Sequence, residues 1–353
     1  MKTEIRDYIL KQISRHPGDI ATVVAKQFGV SRQTIVNYLT KLTSDGLITA
    51  EGRTRARQYK LRDFVRERFS KDVIPGLEED TIWRENISPF MKDVNSNVID
   101  ICQYGFTEML RNVFDHSESR KFLCYVTRNA VCIRLGVIDH GVGIFNKIQK
   151  YFGLNDPRHA LLELSKGKLT SDPKRHSGEG IFFTSRMFDT FSILSSPLFY
   201  SRESKDESDW LIEVGESEQK GTLIVMEIAP DSKRTMKSVF DTYSPDKVTY
   251  GFTKTHVPIQ LAKYEGEQLV SRSQARRLLA RFERFSEVLL DFKGTAVIGQ
   301  AFADEIFRVY QLEHPEIQIS WVNATKEVER MIQRARTVGI NISDVPSEQR
   351  PLF

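Results

Sequence analysis

The feature that most constrains this chain is the stretch Phe106-Thr107-Glu108-Met109-Leu110-Arg111-Asn112-Val113-Phe114-Asp115-His116. Glu108, Asn112 and His116 recur every fourth residue. On a helix each such step turns about 40° past a full rotation, so the three share one face. Met109, Leu110, Val113 and Phe114 fall on another face and can hold the helix against a sheet. A carboxylate one turn from a carboxamide can take a proton from water and hold a hard cation such as Mg²⁺ through the amide oxygen. The same spacing also occurs on plain solvated helix surfaces, so the remaining chain has to decide between the two.

A length of 353 residues implies two or three domains. Hydrophobic residues at 40% and charged residues at 28% are ordinary for a soluble protein. No apolar run approaches the roughly 20 residues of a membrane span, and Met1–Asp7 has no apolar signal core, so a cytoplasmic protein without membrane partners is expected. Cys102, Cys124 and Cys132 lack metal-ligand spacing and read as reduced core thiols.

The net charge of +4 is unevenly distributed. Residues 1–62 carry 12 Lys/Arg against 5 Asp/Glu, a balance of +7, which leaves −3 for the rest. Ile5, Tyr8, Ile9, Gln12 and Ile13 form a helical stripe that His16-Pro17-Gly18 breaks. Asp19 is placed to cap a second helix, Ile20–Phe28, which Gly29 ends. Ser31 caps a third, Gln33 to about Ser44. Leu47-Ile48-Thr49 and Gln58-Tyr59-Lys60-Leu61 then read as two strands with Arg53, Arg55 and Arg57 at their tip. Residues 1–62 resemble a winged helix-turn-helix domain of bacterial transcription regulators. The resemblance implies double-stranded DNA as partner, with Arg32, Gln33, Thr34, Asn37 and Tyr38 toward the major groove. Arg53, Arg55 and Arg57 would reach phosphates or the minor groove. Dimerisation of the chain is the alternative use of such a fold.

Residues 63–97 read as a connector, with a charged helix over Asp63–Lys71. The only histidine upstream of the central segment is His16, outside any long two-helix stretch, which counts against an ordinary sensor histidine kinase.

Residues 98–230 carry four motifs in order. The opening helix runs Val98–Ser117. Strands follow at Phe122–Thr127 and Val131–Ile138, the second leading into Asp139-His140-Gly141-Val142-Gly143. A carboxylate at a strand end can accept a hydrogen bond from an exocyclic amine, and the glycines let backbone approach a flat ligand. Lys147–Pro173 reads as a polar, lid-like loop with Lys166 and Lys168. Ser177-Gly178-Glu179-Gly180 opens an apolar helix, Ile181–Phe188, whose free N–H groups suit phosphate oxygens. Lys220-Gly221-Thr222 precedes a strand, Leu223–Ile228.

This order resembles the ATP-binding domain of the GHKL superfamily (Bergerat-type), and the second glycine pair is closest in spacing to the anti-sigma-factor serine kinases. The resemblance implies an α/β sandwich, a mixed sheet covered on one face by helices. It further implies ATP and Mg²⁺ as cofactors. Glu108 would polarise water or a substrate hydroxyl, and Asn112 would bind Mg²⁺. Asp139 would read adenine, with Gly141 and Gly143 making room. Ser177, Gly178 and Gly180 would line the phosphate end, and Thr222 the base end.

Residues 245–340 alternate strands and helices, which implies a small parallel or mixed sheet. Val288-Leu289-Leu290-Asp291-Phe292-Lys293-Gly294, followed by Val297-Ile298-Gly299-Gln300-Ala301, resembles the STAS fold of anti-sigma-factor antagonists, in its divergent STAS-like form. That implies a docking module for a protein partner. Its phosphoacceptor turn would be Gly299-Gln300-Ala301-Phe302, which has no hydroxyl. The expected protein is therefore multidomain: a winged helix, an ATP-binding α/β sandwich and an α/β STAS-like module. Its expected function is ATP-dependent transcription regulation; the alternative is a serine/threonine kinase acting on a separate partner. Whether ATP is turned over stays open at this point.

Overall fold

In the computed structural model, which describes residues 2–53, 56–154, 156–169, 178–205, 208–213, 220–244, 252–263 and 267–343, the apolar stripe of the N-terminus forms helix α1 (Lys2–Gln12). It packs with α2 (Ile20–Phe28) and α3 (Arg32–Ser44) over a core of Ile5, Ile9, Ile20, Val24, Ile35, Leu39 and Leu42. Gly29 closes α2 at φ +63°, where a side chain would be strained, and Ser31 Oγ accepts the Thr34 N–H at 3.1 Å to start α3. Asp19 does not cap α2 with its side chain; its carboxylate is taken up by His16 at 3.2 Å. Strands β1 (Ile48–Glu51) and β2 (Gln58–Leu61) pair antiparallel from Ile48 opposite Leu61 to Glu51 opposite Gln58.

A seven-stranded sheet follows, in the order β3-β4-β5-β9-β6-β7-β8. Its strands are β3 (Val65–Asp72), β4 (Lys121–Arg128), β5 (Ile133–Asp139), β6 (Thr190–Ser195), β7 (Leu198–Glu203), β8 (Ser208–Glu213) and β9 (Thr222–Ile228). Every neighbouring pair is antiparallel. Along β4, β6 and β9 buried and half-buried residues alternate, so one face carries the core. On that face lie α4 (Glu79–Asn86), α5 (Ser96–Asn112), α8 (Gly180–Met187) and α9 (Met236–Tyr243).

Two expectations from the sequence are corrected here. Residues 63–71 are not a helix. They enter β3, which pairs with β4 over eight residues, Val65 opposite Arg128 to Asp72 opposite Lys121. Val65 and Phe69 lean on the core, and the intervening charges face water. The span 147–173 is not a polar loop in its described part. It holds α6 (Ile144–Phe152) and α7 (Pro157–Lys166), and α7 is buried from His159 to Lys166. Its charges tolerate burial because Glu163 and Lys166 pair with each other at 2.7 Å.

The C-terminal unit is a parallel three-stranded sheet, β10 (Lys254–Pro258), β11 (Glu287–Asp291) and β12 (Gln318–Val322), in that order. Parallel neighbours require crossovers, and helices supply them. Between β10 and β11 runs α10 (Arg272–Leu279), capped by a reciprocal Ser271–Gln274 box. Between β11 and β12 run α11 (Gln300–Asp304), a π turn (Glu305–Tyr310) and α12 (Gln311–Glu313). Helix α13 (Lys326–Ser343) closes the unit. The central sheet is thus antiparallel throughout where a mixed one was expected, because its described strands follow one another by hairpins and returns across one layer; parallel pairing is confined to the C-terminal sheet.

The N-terminal unit has its own core, against which Ala130 and Val131 of the β4–β5 turn rest. The central and C-terminal units share one continuous core. No helix among the described residues is long and apolar enough to cross a membrane.

Helix α5 sits close to α8 because Gly105 has no side chain: a Cβ there would stand 2.4 Å from the Phe188 ring and 3.1 Å from Thr184 Cγ2. Gly105→Ala is therefore expected to destabilise by about 1–3 kcal/mol through overpacking, read as a lowered urea midpoint at unchanged slope.

Candidate functional site

One end of the large sheet is built for close approach. Strand β5 ends at Asp139, directly opposite Thr222 of β9. The chain then turns through Gly141 and Gly143 into α6. A Cβ at Gly141 would fall 1.8 Å from the Ser117 carbonyl oxygen, and Gly143 holds φ +81°. Next door, Gly221 at φ +105° passes so near the Asp139 carbonyl that a Cβ would lie 2.1 Å away. Three hydrogen bonds tie these loops together. Gly141 N–H donates to Asp139 Oδ1 at 2.8 Å, Ile144 N–H to Thr222 Oγ1 at 3.1 Å, and Ser195 Oγ–H to the Gly221 carbonyl at 2.9 Å.

Helix α5 forms one wall of the cleft above this turn. Past Asn112 it continues as a π turn, Val113–Ser117, and stops at Glu118 in a left-handed conformation. Ser117 accepts the Val142 N–H at 2.9 Å, which docks the end of the helix on the turn after β5. Such π turns concentrate at functional sites. Helix α6 forms the opposing wall with Ile144, Lys147, Ile148 and Tyr151, and Gly178–Ile181 closes a third side. The cavity they line measures about 250 Å³.

Glu108, Asn112, His116, Asp139, Gly143, Gly178, Gly180 and Thr222 all line this cavity, so residues up to 114 positions apart are brought together. Gly141 stands behind it, against Ser117. A Cβ at Gly180 would meet Glu108 Oε2 at 2.1 Å, so the start of α8 stands directly against that side chain, which would have to swing aside for a larger residue. Glu108 also lies 4.0 Å from Arg111, whose guanidinium is held by Glu79. Ser177 lies outside the described residues. Among the described residues no group of three or more His, Cys, Asp or Glu could hold a metal by itself. A cation at Asn112 would need its other oxygen ligands from a bound molecule and water, the usual arrangement for Mg²⁺.

Lys147 was not singled out by the sequence. Its ammonium donates to the His116 carbonyl at 2.6 Å and to Glu118 at 3.2 Å, joining the two walls. The signal was present: Ile144, Lys147, Ile148 and Tyr151 follow the i, i+3, i+4, i+7 spacing of one helix face.

On the N-terminal unit, Arg32, Gln33 and Asn37 are exposed on α3, with Gln33 donating to Asn37 at 3.3 Å. Thr34 is engaged in the Ser31 cap, and Tyr38 packs partly on the core. Arg53 and Arg57 are exposed at the hairpin, Arg57 over the Tyr59 ring at 5.4 Å. Arg55 lies outside the described residues. The three cysteines are free thiols, with Cys102 and Cys124 buried and Cys132 half-buried and pushed by burial up to about 12.

In the C-terminal unit, Asp291 at the end of β11 accepts hydrogen bonds from His256 at 3.3 Å, Asn323 at 2.9 Å and the Lys293 N–H at 2.9 Å. The parallel β-α-β arrangement around it is joined by a direct family finding. Residues 274–329 match the family model of the STAS-like domain of unknown function (DUF4325). The STAS-like expectation for this segment is thereby borne out. No curated protein matches the chain. The turn Gly299-Gln300-Ala301-Phe302 of the STAS-like domain opens α11, and Gly299 packs against Val270.

Asp139 is only 5% exposed, and burial pushes its carboxyl above the ordinary aspartate range; the bonds from Gly141 and Thr222 pull the other way. A carboxyl raised in the folded state binds its proton more tightly when folded. The folded state therefore loses stability as pH climbs from the ordinary value of about 4 to the raised one, and the cost persists above it. Asp139→Asn keeps an acceptor for Gly141 and removes that cost. Without ligand, the variant is expected to be at least as stable as wild type in urea at pH 7, with a flatter stability profile above about pH 4.

Proposed function

We propose that the cavity binds ATP with Mg²⁺, and that its occupancy controls a DNA-binding N-terminal unit in an ATP-dependent transcription regulator of the GHKL type. The observation that carries this reading is the polarity of the cavity. At one end a buried carboxylate, Asp139, sits among Gly141, Gly143 and Thr222. At the other, Glu108 and Asn112 meet the glycine-lined start of α8. The first end suits a flat base with an exocyclic amine, which donates to Asp139. The second suits phosphates, which accept from the N–H groups at Gly178–Gly180.

Asn112 would hold Mg²⁺ from one side, and the ion would offset the charge of the phosphates. Asn112 orients the phosphate end. Glu108 takes a proton from a water or hydroxyl positioned at the last phosphate. In the N-terminal unit, the +7 balance, the exposed face of α3 and the arginine-tipped hairpin support a winged helix-turn-helix reader of double-stranded DNA. The contact of Ala130 and Val131 with that unit's core gives the large sheet a direct path to it.

Asp139→Asn is expected to abolish ATP binding in calorimetry, whereas Glu108→Ala is expected to keep ATP bound and lower turnover by about 10²-fold or more. Unchanged affinity in the first variant would remove the base-reading role. Incubation with γ-labelled ATP, alone and with cell extract, separates release of free phosphate from transfer to a partner protein, the serine/threonine-kinase outcome.

Replacing Arg53 and Arg57 by Ala is expected to weaken DNA binding and reduce the slope of log K against log salt by about 2, roughly one per lost phosphate contact. A slope equal to wild type would take the hairpin out of the DNA interface.

A further inference from the structure

Outside the cavity, a set of buried charges lies directly behind its wall. Helix α7 carries Lys166, only 1% exposed, whose ammonium donates to Glu163 Oε1 at 2.7 Å and to the Ala280 carbonyl at 2.8 Å. Arg281 ion-pairs with the same Glu163 carboxylate. The Arg281 guanidinium lies 4.2 Å from the centre of the Phe152 ring, and Phe152 lines the cavity. Two residues past Lys166 the contact repeats. Lys168 Nζ donates to the Arg284 carbonyl at 2.7 Å, and Arg284 returns a bond to the Lys168 carbonyl at 2.9 Å. The Lys168 ammonium also faces the Phe252 and Phe285 rings at 5.5 and 4.9 Å.

The same stretch therefore has two sides. Leu164 and Leu169 line the cavity, and the Leu169 N–H donates at 3.1 Å to the carbonyl of Gly178, which lines it too. Glu163, Lys166 and Lys168 grip residues 280–284 of the STAS-like unit, about 115 positions away in the chain. Two further features mark the grip as specific. Arg281 holds φ +65°, a conformation that L side chains rarely adopt and that its surroundings must sustain. Removing one partner of such a buried cluster leaves the other charges uncompensated, so the contact is sensitive to each of its members.

We infer that the STAS-like unit regulates the cavity in cis: its Ala280–Phe285 segment, clamped on Glu163, Lys166 and Lys168, braces the cavity wall and thereby sets the affinity for nucleotide. By reciprocity, nucleotide in the cavity tightens the clamp. The identity of the ligand rests on the ATP reading above, whereas the bracing of the wall does not.

The test uses the full chain, with Arg281→Ala and the milder Arg284→Ala, which removes only the exposed return bond and keeps the test open should the first variant fail to fold. Amide exchange of Leu169 is followed without ligand, alongside amides of β4 and β5 as internal reference. Faster exchange at Leu169 with unchanged reference amides is expected. ATP affinity is then measured by calorimetry, with a loss of about five-fold or more expected in the variants. In wild type, saturating ATP is expected to slow exchange across 280–285. Wild-type exchange at Leu169 in the folded variants overturns the brace. Equal ATP affinity in wild type and variants overturns its regulatory role and leaves the ATP reading intact. Absence of ATP binding to wild type, with Leu169 exchange still raised in the variants, overturns the ATP reading and leaves the brace standing.

Discussion

The docking of the end of α5 on the turn after β5 is the contact on which the central unit depends. Ser117 accepts the Val142 N–H at 2.9 Å, and the approach is possible only because residue 141 has no Cβ. That contact sets the height of the helix above the strand ends. It places Glu108, Asn112 and His116 over Asp139 instead of over solvent. The π turn at Val113–Ser117 changes the phase of the last turn, so that Ser117 meets the loop while His116 still borders the cavity. From below, Gly221 passes under Asp139 and brings Thr222 to the same place. The cleft is thus a consequence of backbone approaching backbone, and glycine is what permits it.

Cohesion differs between the units. The N-terminal helices and hairpin bury their own core and meet the rest through the β4–β5 turn. The large sheet and the STAS-like unit share one core, reinforced by the ion cluster of Glu163, Lys166 and Arg281. A shared core with interlocked charges resists small relative shifts, because close-packed interiors rearrange as a whole or not at all. A unit attached in this way can feel what happens in the cleft, and the cleft can feel the unit.

Much of the fold was legible because it rested on local rules. The stripe of α5, the glycine end of α2, the Ser31 cap and the Ser271–Gln274 cap all act within a turn of chain. Strands β4, β5 and β9 were readable as short apolar runs bounded by turn residues, and the glycine pairs by their spacing. Legibility failed where partners were distant. Val65–Asp72 has the charge density of a surface helix, and only the free edge of β4 makes it a strand. Lys166 and Lys168 read as solvated lysines until Ala280 and Arg284 are brought against them. Lys147 carried a readable helical spacing, but its bond to His116 needed two helices to face each other.

The sequence by itself determined the local chemistry: a helix with one apolar and one polar face, a carboxylate at a strand end, glycines where backbone must pass, a basic N-terminus and a STAS-like C-terminal segment. Those properties depend on residue type and on spacing within a few positions. Only the tertiary structure decided that the motifs converge on one cavity, that β3 extends the sheet beyond β4, and that the STAS-like unit backs the cavity wall. Each of these is a contact between residues tens to more than a hundred positions apart. Such contacts are selected by the burial of a common core and by the completion of buried charges, which no local pattern encodes.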